Sequence, residues 1–124
     1  MATEILVCVR CRSPGAPADH PREGLALYEA VQIAAFDEEP QLIVRAIDCM
    51  SSCNRSCAIA LQASRKTTYL FCDLRASEEA AADIVACAKI YQVSADGFMP
   101  RESRPQRLRE GILARIPVLN QQQP

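Results

Sequence analysis

The chain has 124 residues, 49% of them hydrophobic, with 14 basic and 15 acidic side chains and a net charge of -1. That is one domain with enough apolar side chains for a real core, and its balanced charge excludes an electrostatic grip on nucleic acid. No apolar run approaches the roughly 18 residues of a membrane span, and Met1-Ala2-Thr3-Glu4 lacks the basic and apolar stretches of a signal peptide, so a cytoplasmic protein is expected.

In chain order, Glu4-Ile5-Leu6-Val7-Cys8-Val9 is apolar and rich in β-branched residues, the signature of a buried strand. It breaks at Arg10 to Pro17, a stretch dense in turn residues. Asp19 or His20 is placed to cap a helix with Pro21 in its first turn. Leu25, Tyr28, Val31, Ile33 and Ala35 carry that helix to Phe36, and Asp37-Glu38-Glu39-Pro40 ends it. Gln41 to Ile47 reads as a second strand, and strand, helix and strand at this length predict a right-handed parallel βαβ unit.

A polar loop with three cysteines follows, from Asp48 to Cys57. Ala58 to Ala63 and Lys66 to Phe71 then flank a Ser64-Arg65 turn and read as an antiparallel hairpin. Ser77 caps a helix with Glu78 and Glu79 in its first turn, where the dipole favours them. Its apolar face is Ala81, Ile84, Val85, Ala88 and Tyr91. Ser103 is then expected to cap a last helix with Leu108, Ile112, Leu113 and Ile116 on one side. The whole reads as an α/β domain over residues 1–118, with a flexible tail at 119–124 that includes Gln121 to Gln123. Its four-stranded mixed sheet, in the order β-α-β-β-β-α with a C-terminal helical extension, fits a thioredoxin-like fold.

The chemistry lies in the cysteines, of which there are seven against one histidine. An odd number in a reducing compartment points away from a disulfide scaffold and toward metal, cluster or redox chemistry. Cys8 and Cys11 are spaced C-x-x-C at the exit of the first strand. Cys49 and Cys53 are spaced C-x-x-x-C at the exit of the second, and Cys57 follows four residues later. Parallel neighbours about 5 Å apart end at one sheet edge, so the two groups converge. Four thiolates suit zinc, for which C-x-x-C is a common half-site. They equally suit a 2Fe-2S cluster, which takes two cysteines per iron, with Ser51, Ser52, Asn54 and Ser56 available to donate to sulfur. The length of the domain favours the cluster, because structural zinc most often rescues domains too small to fold alone.

The pattern of Cys8 and Cys11, then Cys49-Met50-Ser51-Ser52-Cys53, resembles the thioredoxin-like 2Fe-2S ferredoxins. It is also similar to a family of small, functionally uncharacterised predicted metal-binding proteins. That second similarity lies in Val7 to Arg12, Cys49 to Leu61, Tyr69-Leu70-Phe71 and Pro100-Arg101-Glu102-Ser103-Arg104-Pro105. The resemblance implies a homodimeric electron-transfer protein with one 2Fe-2S cluster on Cys8, Cys11, Cys49 and Cys53. It further implies a reductase and an acceptor as partners, and an association with cobalamin biosynthesis. Better-known relatives space the first pair more widely and carry a small residue or glycine where Cys57 stands. Cys57 is therefore an alternate ligand, in place of Cys11 or Cys53, or a thiol supporting the ligands.

Other residues admit plainer readings. Cys72 and Cys87 read as packing residues, and His20 as a solvated cap with no assigned role. Arg10, Arg12 and Arg55 flank the cysteines, either as solvated loop charges or as cations that stabilise a reduced, more anionic centre and favour an acidic partner. A thioredoxin-like dithiol oxidoreductase is the remaining alternative, since Cys8-Val9-Arg10-Cys11 is a C-x-x-C. Against it, Ser13 to His20 separate Cys11 from the predicted helix, and no proline precedes the third strand. No glycine-rich phosphate loop or nucleophile elbow supports a hydrolase, and no catalytic residue is assigned.

Overall fold

Alternation in the first strand sets the centre of the sheet. In the computed structural model, which describes residues 2–12, 22–51 and 53–119 (Cys53 by its backbone only), β1 runs Thr3–Cys8 with Thr3, Ile5 and Val7 buried. The expected cap at Asp19 or His20, with Pro21, and the tail beyond Leu119 lie outside the described residues. β1 is followed by α1 (Glu23–Ala35), β2 (Leu42–Ile47), a 3-10 turn at Cys53–Arg55, β3 (Ile59–Gln62) and β4 (Thr68–Phe71). Then come α2 (Glu78–Val93), a second 3-10 turn at Arg101–Ser103, α3 (Gln106–Glu110) and β5 (Ile112–Ile116).

The sheet has the order β2-β1-β3-β4-β5. β1 and β2 are parallel, and every other pair is antiparallel. Parallel pairing of β1 and β2 follows from the α1 crossover, which is long enough to return the chain to its starting edge. Ile5, Val7, Ile59, Leu61, Tyr69 and Phe71 share one buried face. Against it pack Leu27 and Val31 of α1 and Ile84, Ala88 and Tyr91 of α2. The Tyr69 and Tyr91 rings meet edge to face at 6.3 Å, and Tyr69 stacks on Phe71 at 5.9 Å, geometries that add to area burial. Ser77 caps α2 as its sequence implies, its hydroxyl accepting the Ala80 N–H at 3.0 Å.

One expectation is overturned. Residues 112–116 do not extend a helix; they form β5 on the free edge of β4, Thr68 opposite Ile116 and Phe71 opposite Ile112. The sheet therefore has five strands, not four. α3 lasts five residues and ends at Gly111, and Ser103 caps nothing: its hydroxyl donates to the Pro100 carbonyl within the second 3-10 turn. The physical reason is that Leu108, Ile112, Leu113 and Ile116 satisfy helical spacing, but the unpaired edge of β4 offers backbone partners that a helix surface does not. No helix among the described residues is long and apolar enough to cross a membrane.

Burial in the α2 face has a consequence at alkaline pH. Burial pushes the Cys87 thiol up from 9.0 to about 12 and the Tyr91 phenol up from 10.0 to about 12. Below about pH 9 both groups are neutral folded or unfolded, so folding loses nothing there. As pH rises from about 9 to about 12, the unfolded chain sheds these protons first and stability falls. Denaturant midpoints measured across that window are expected to decline, with a shallower slope in Cys87→Ala. An unchanged slope in that variant would mean that Cys87 does not contribute.

Candidate functional site

β1 and β2 pair in register, from Thr3 opposite Leu42 to Cys8 opposite Ile47, so both release their chains at one edge of the sheet. Cys8 closes β1 there, and Cys49 stands two residues beyond the end of β2. On the other side of β1, Val7 lies opposite Ile59, which brings Cys57 to the same edge just before β3. β4, with Phe71 opposite Ile59, delivers Cys72 there as well. Topology thus gathers the backbone positions of six cysteines, all but Cys87, at one end of the molecule.

Backbone bonds tie these segments together. Val9 N–H donates to Ile47 O at 2.9 Å and Cys8 N–H to Ala58 O at 3.1 Å. Cys57 and Leu74 exchange a reciprocal pair at 3.0 and 3.2 Å, and the Ser56 hydroxyl donates to the Arg12 carbonyl. The peptide between Ser56 and Cys57 is cis.

The sulfurs divide into an inner group and a rim. Cys8, Cys11 and Cys57 are at most 2% exposed and act on one another electrostatically. Burial pushes Cys11 up to about 11, its hydrogen bond with Cys8 adds to the rise, and the Ala58 backbone hydrogen bond and the neighbouring Ser56 side chain oppose it. Burial pushes Cys57 up to about 12, with further contributions from Cys11, Glu23 and Cys8 against an opposing one from Arg75. Cys49 is exposed at the rim, where its Sγ accepts the Ser51 N–H at 3.3 Å. Cys53 begins the 3-10 turn between rim and core; its side chain lies outside the described residues. Cys72 is fully buried, its thiol donating to Gly111 O at 3.3 Å, and Cys87 is fully buried within α2.

Among the described residues, no three His, Cys, Asp or Glu side chains are arranged to hold a metal ion. Of the four expected ligands, Cys8 and Cys11 come together in the core with Cys57, while Cys49 stands exposed on the adjoining loop. The donor chemistry nevertheless fits a thiolate-held metal or cluster: soft sulfur ligands at one edge, with backbone N–H groups of Ser51 and Ala58 toward the sulfurs of Cys49 and Cys11, are what such centres take up. The same geometry does little to activate Cys11 as a nucleophile. The first turn of α1 reaches Cys11, but Gly24 N–H donates to its carbonyl oxygen at 3.0 Å rather than to sulfur, and burial keeps the thiol protonated.

Two of the three flanking arginines already have carboxylate partners. Arg10 lies 3.6 Å from Asp48, and Arg55 meets Asp73 at 2.6 Å. The pairing holds the Asp73 carboxyl below its usual value. Arg12 keeps a buried Nε without a hydrogen-bond partner among the described residues.

Two residues at this edge escaped the sequence reading. Gly24 sits where a Cβ would stand 2.0 Å from Cys8 O and 3.1 Å from Cys11 N. A glycine retained in the first turn of a helix, where it is costly, was its only signal. Asp73 has φ of 59° and carried no signal beyond a turn-forming residue after a strand.

A family model described as "Protein of unknown function (DUF1636)" matches residues 5–118. The chain belongs to this DUF1636 family. No curated protein matches it. Among solved structures it is similar to one titled "Structure of a thioredoxin-like [2Fe-2S] ferredoxin from Aquifex aeolicus", with a TM-score of 0.60 and 13% identity over 92% of each chain. At that identity the likeness speaks for the fold, and this DUF1636 protein has a thioredoxin-like fold. Both the uncharacterised family and the fold agree with the expectation from the sequence.

Proposed function

We propose that the chain is a small electron-transfer protein that holds one 2Fe-2S cluster through Cys8, Cys11, Cys49 and Cys53. The observation that carries the reading is the in-register parallel pair β1 and β2, with Cys8 opposite Ile47, which sets the C-x-x-C and C-x-x-x-C loops side by side. The ferredoxin named in the structural comparison supports it by analogy of fold. When bound, such a group supplies one-electron transfer; the chain supplies its ligands, its surroundings and a docking face. The Ser51 N–H on Cys49 and the Ala58 backbone hydrogen bond to Cys11 stabilise thiolate charge, which tunes the potential. Arg10 and Arg55, already paired, exert less of that tuning than unpaired cations would. A reductase and an acceptor are the partners this role requires. The cobalamin-related setting and the homodimer belong to the proposal on the sequence resemblance alone.

Zinc is the second reading, favoured by the buried packing of Cys8 and Cys11 as a C-x-x-C half-site. Anaerobic purification with iron, sulfide and zinc analysis separates the two. The expected result is a red-brown protein that bleaches with dithionite and contains about two irons and two sulfides per chain. A colourless protein with zinc in their place would overturn the cluster.

A further inference from the structure

Among its described residues the loop from Cys49 to Cys57 has no regular structure beyond its 3-10 turn, yet it must hold its cysteines still if they are to serve as ligands. Its support is the segment leaving β4. Asp73 N–H donates to Arg55 O at 2.9 Å, closing the backbone of the turn that begins at Cys53. The Asp73 carboxylate accepts from Arg55 Nη2 at 2.6 Å and from Nε at 3.2 Å, two bonds from one guanidinium to one oxygen. The same oxygen lies 3.6 Å from the Cys72 sulfur. One residue further, Leu74 exchanges its pair of backbone bonds with Cys57. Asp73 thus binds the turn through both backbone and side chain, from a left-handed conformation with φ of 59°.

From this geometry we infer that Asp73 is a positioning residue. It clamps the Cys53–Arg55 turn to the end of β4 and so fixes the backbone at Cys53, one of the second cysteine pair, for metal binding. The inference rests on the metal-binding reading above, but the clamp does not depend on which metal is held. It also gives Arg55 a structural task beyond the two readings its position beside the cysteines admits. Supports of this kind outside the ligand set commonly change metal affinity by about 10- to 100-fold when removed.

Asp73→Asn is the informative variant. Asparagine tolerates the left-handed conformation and keeps the N–H, so only the charged bonds to Arg55 are weakened. Two measurements are made on the full chain. In the metal-free reduced protein, amide exchange at Cys57, Asp73 and Leu74 is expected to quicken several-fold in Asp73→Asn while exchange in α2 is unchanged. In the loaded protein, removal of whichever metal the wild type carries, iron or zinc, by a chromogenic chelator is expected to quicken about 10-fold or more. The exchanged pair Arg55→Asp with Asp73→Arg is expected to recover part of both effects. Unchanged amide exchange in Asp73→Asn overturns the clamp whatever the wild type binds. Faster exchange with unaltered metal release overturns its role in positioning ligands. A wild type that takes up neither iron nor zinc overturns the functional reading and this role with it, and the exchange data then decide only whether the turn is clamped.

Discussion

Gly24→Ala is expected to destabilise the protein by about 3 kcal/mol or more, although alanine ordinarily stabilises a helix interior by about 1 kcal/mol over glycine. The added methyl would stand 2.0 Å from the Cys8 carbonyl oxygen and 3.1 Å from Cys11 N. Both neighbours are backbone, so no side-chain rotation relieves the contact; either α1 or the Cys8–Cys11 loop must withdraw. Withdrawal would break the Gly24 N–H bond to Cys11 O and disturb the packing of Leu27 and Val31 against β1. At about 4 °C per kcal/mol for a domain of this size, the melting temperature is expected to fall by about 12 °C. Ile33→Ala, at a 79% exposed position of the same helix, should change it little. Metal uptake is expected to fail together with stability. A Gly24→Ala protein as stable as the wild type would show that α1 does not press on the cysteine loop.

Serine variants of Cys8, Cys11, Cys49 and Cys53 are each expected to lose the visible absorption and most of the bound metal. Cys57→Ser is expected to keep both. Serine is close in shape, but its hydroxyl stays protonated and is a poor ligand for soft metals, so each variant deletes one ligand with little change in volume. Cys57 is fully buried beside Cys8 and Cys11, and a hydroxyl placed there costs about 1–3 kcal/mol if it finds no partner. Denaturation curves and a Cys57→Ala variant therefore accompany the metal analysis. If Cys11→Ser kept the absorption while Cys57→Ser and Cys57→Ala lost it, Cys57 would replace Cys11 among the ligands. If Cys49→Ser alone kept it, the rim cysteine would be excluded and the centre would lie deeper at the edge.

Local order was legible where local forces decide it. The apolar run at Ile5 to Cys8, the crossover to Leu42–Ile47 and the Ser77 cap followed by Glu78 and Glu79 all stand in the structure as their residues imply. Residues 112–116 carry a helical spacing rather than a strand pattern because β5 is an edge strand with four of its five residues exposed. Without a buried face it has no clean alternation, and its pairing depends on β4, some forty residues earlier in the chain. Arg55 reads from the sequence as either a solvated loop charge or a cation for the cysteines, because its partner Asp73 is eighteen residues distant, beyond any spacing rule.

By itself the sequence determined the element order through most of the chain, the parallel β1–β2 unit and the presence of two cysteine pairs at strand exits. Apolar periodicity, caps and crossover length act over a few residues to a few tens, and they can be read in order. Only the tertiary structure decided that Cys57 lies in the core with Cys8 and Cys11 while Cys49 lies at the rim. It alone showed that Gly24 must lack a side chain and that Asp73 holds the turn beginning at Cys53. Those facts depend on close approach between segments distant in the chain, where a single atom or one ion pair decides the outcome and residue types alone do not say which segments will meet.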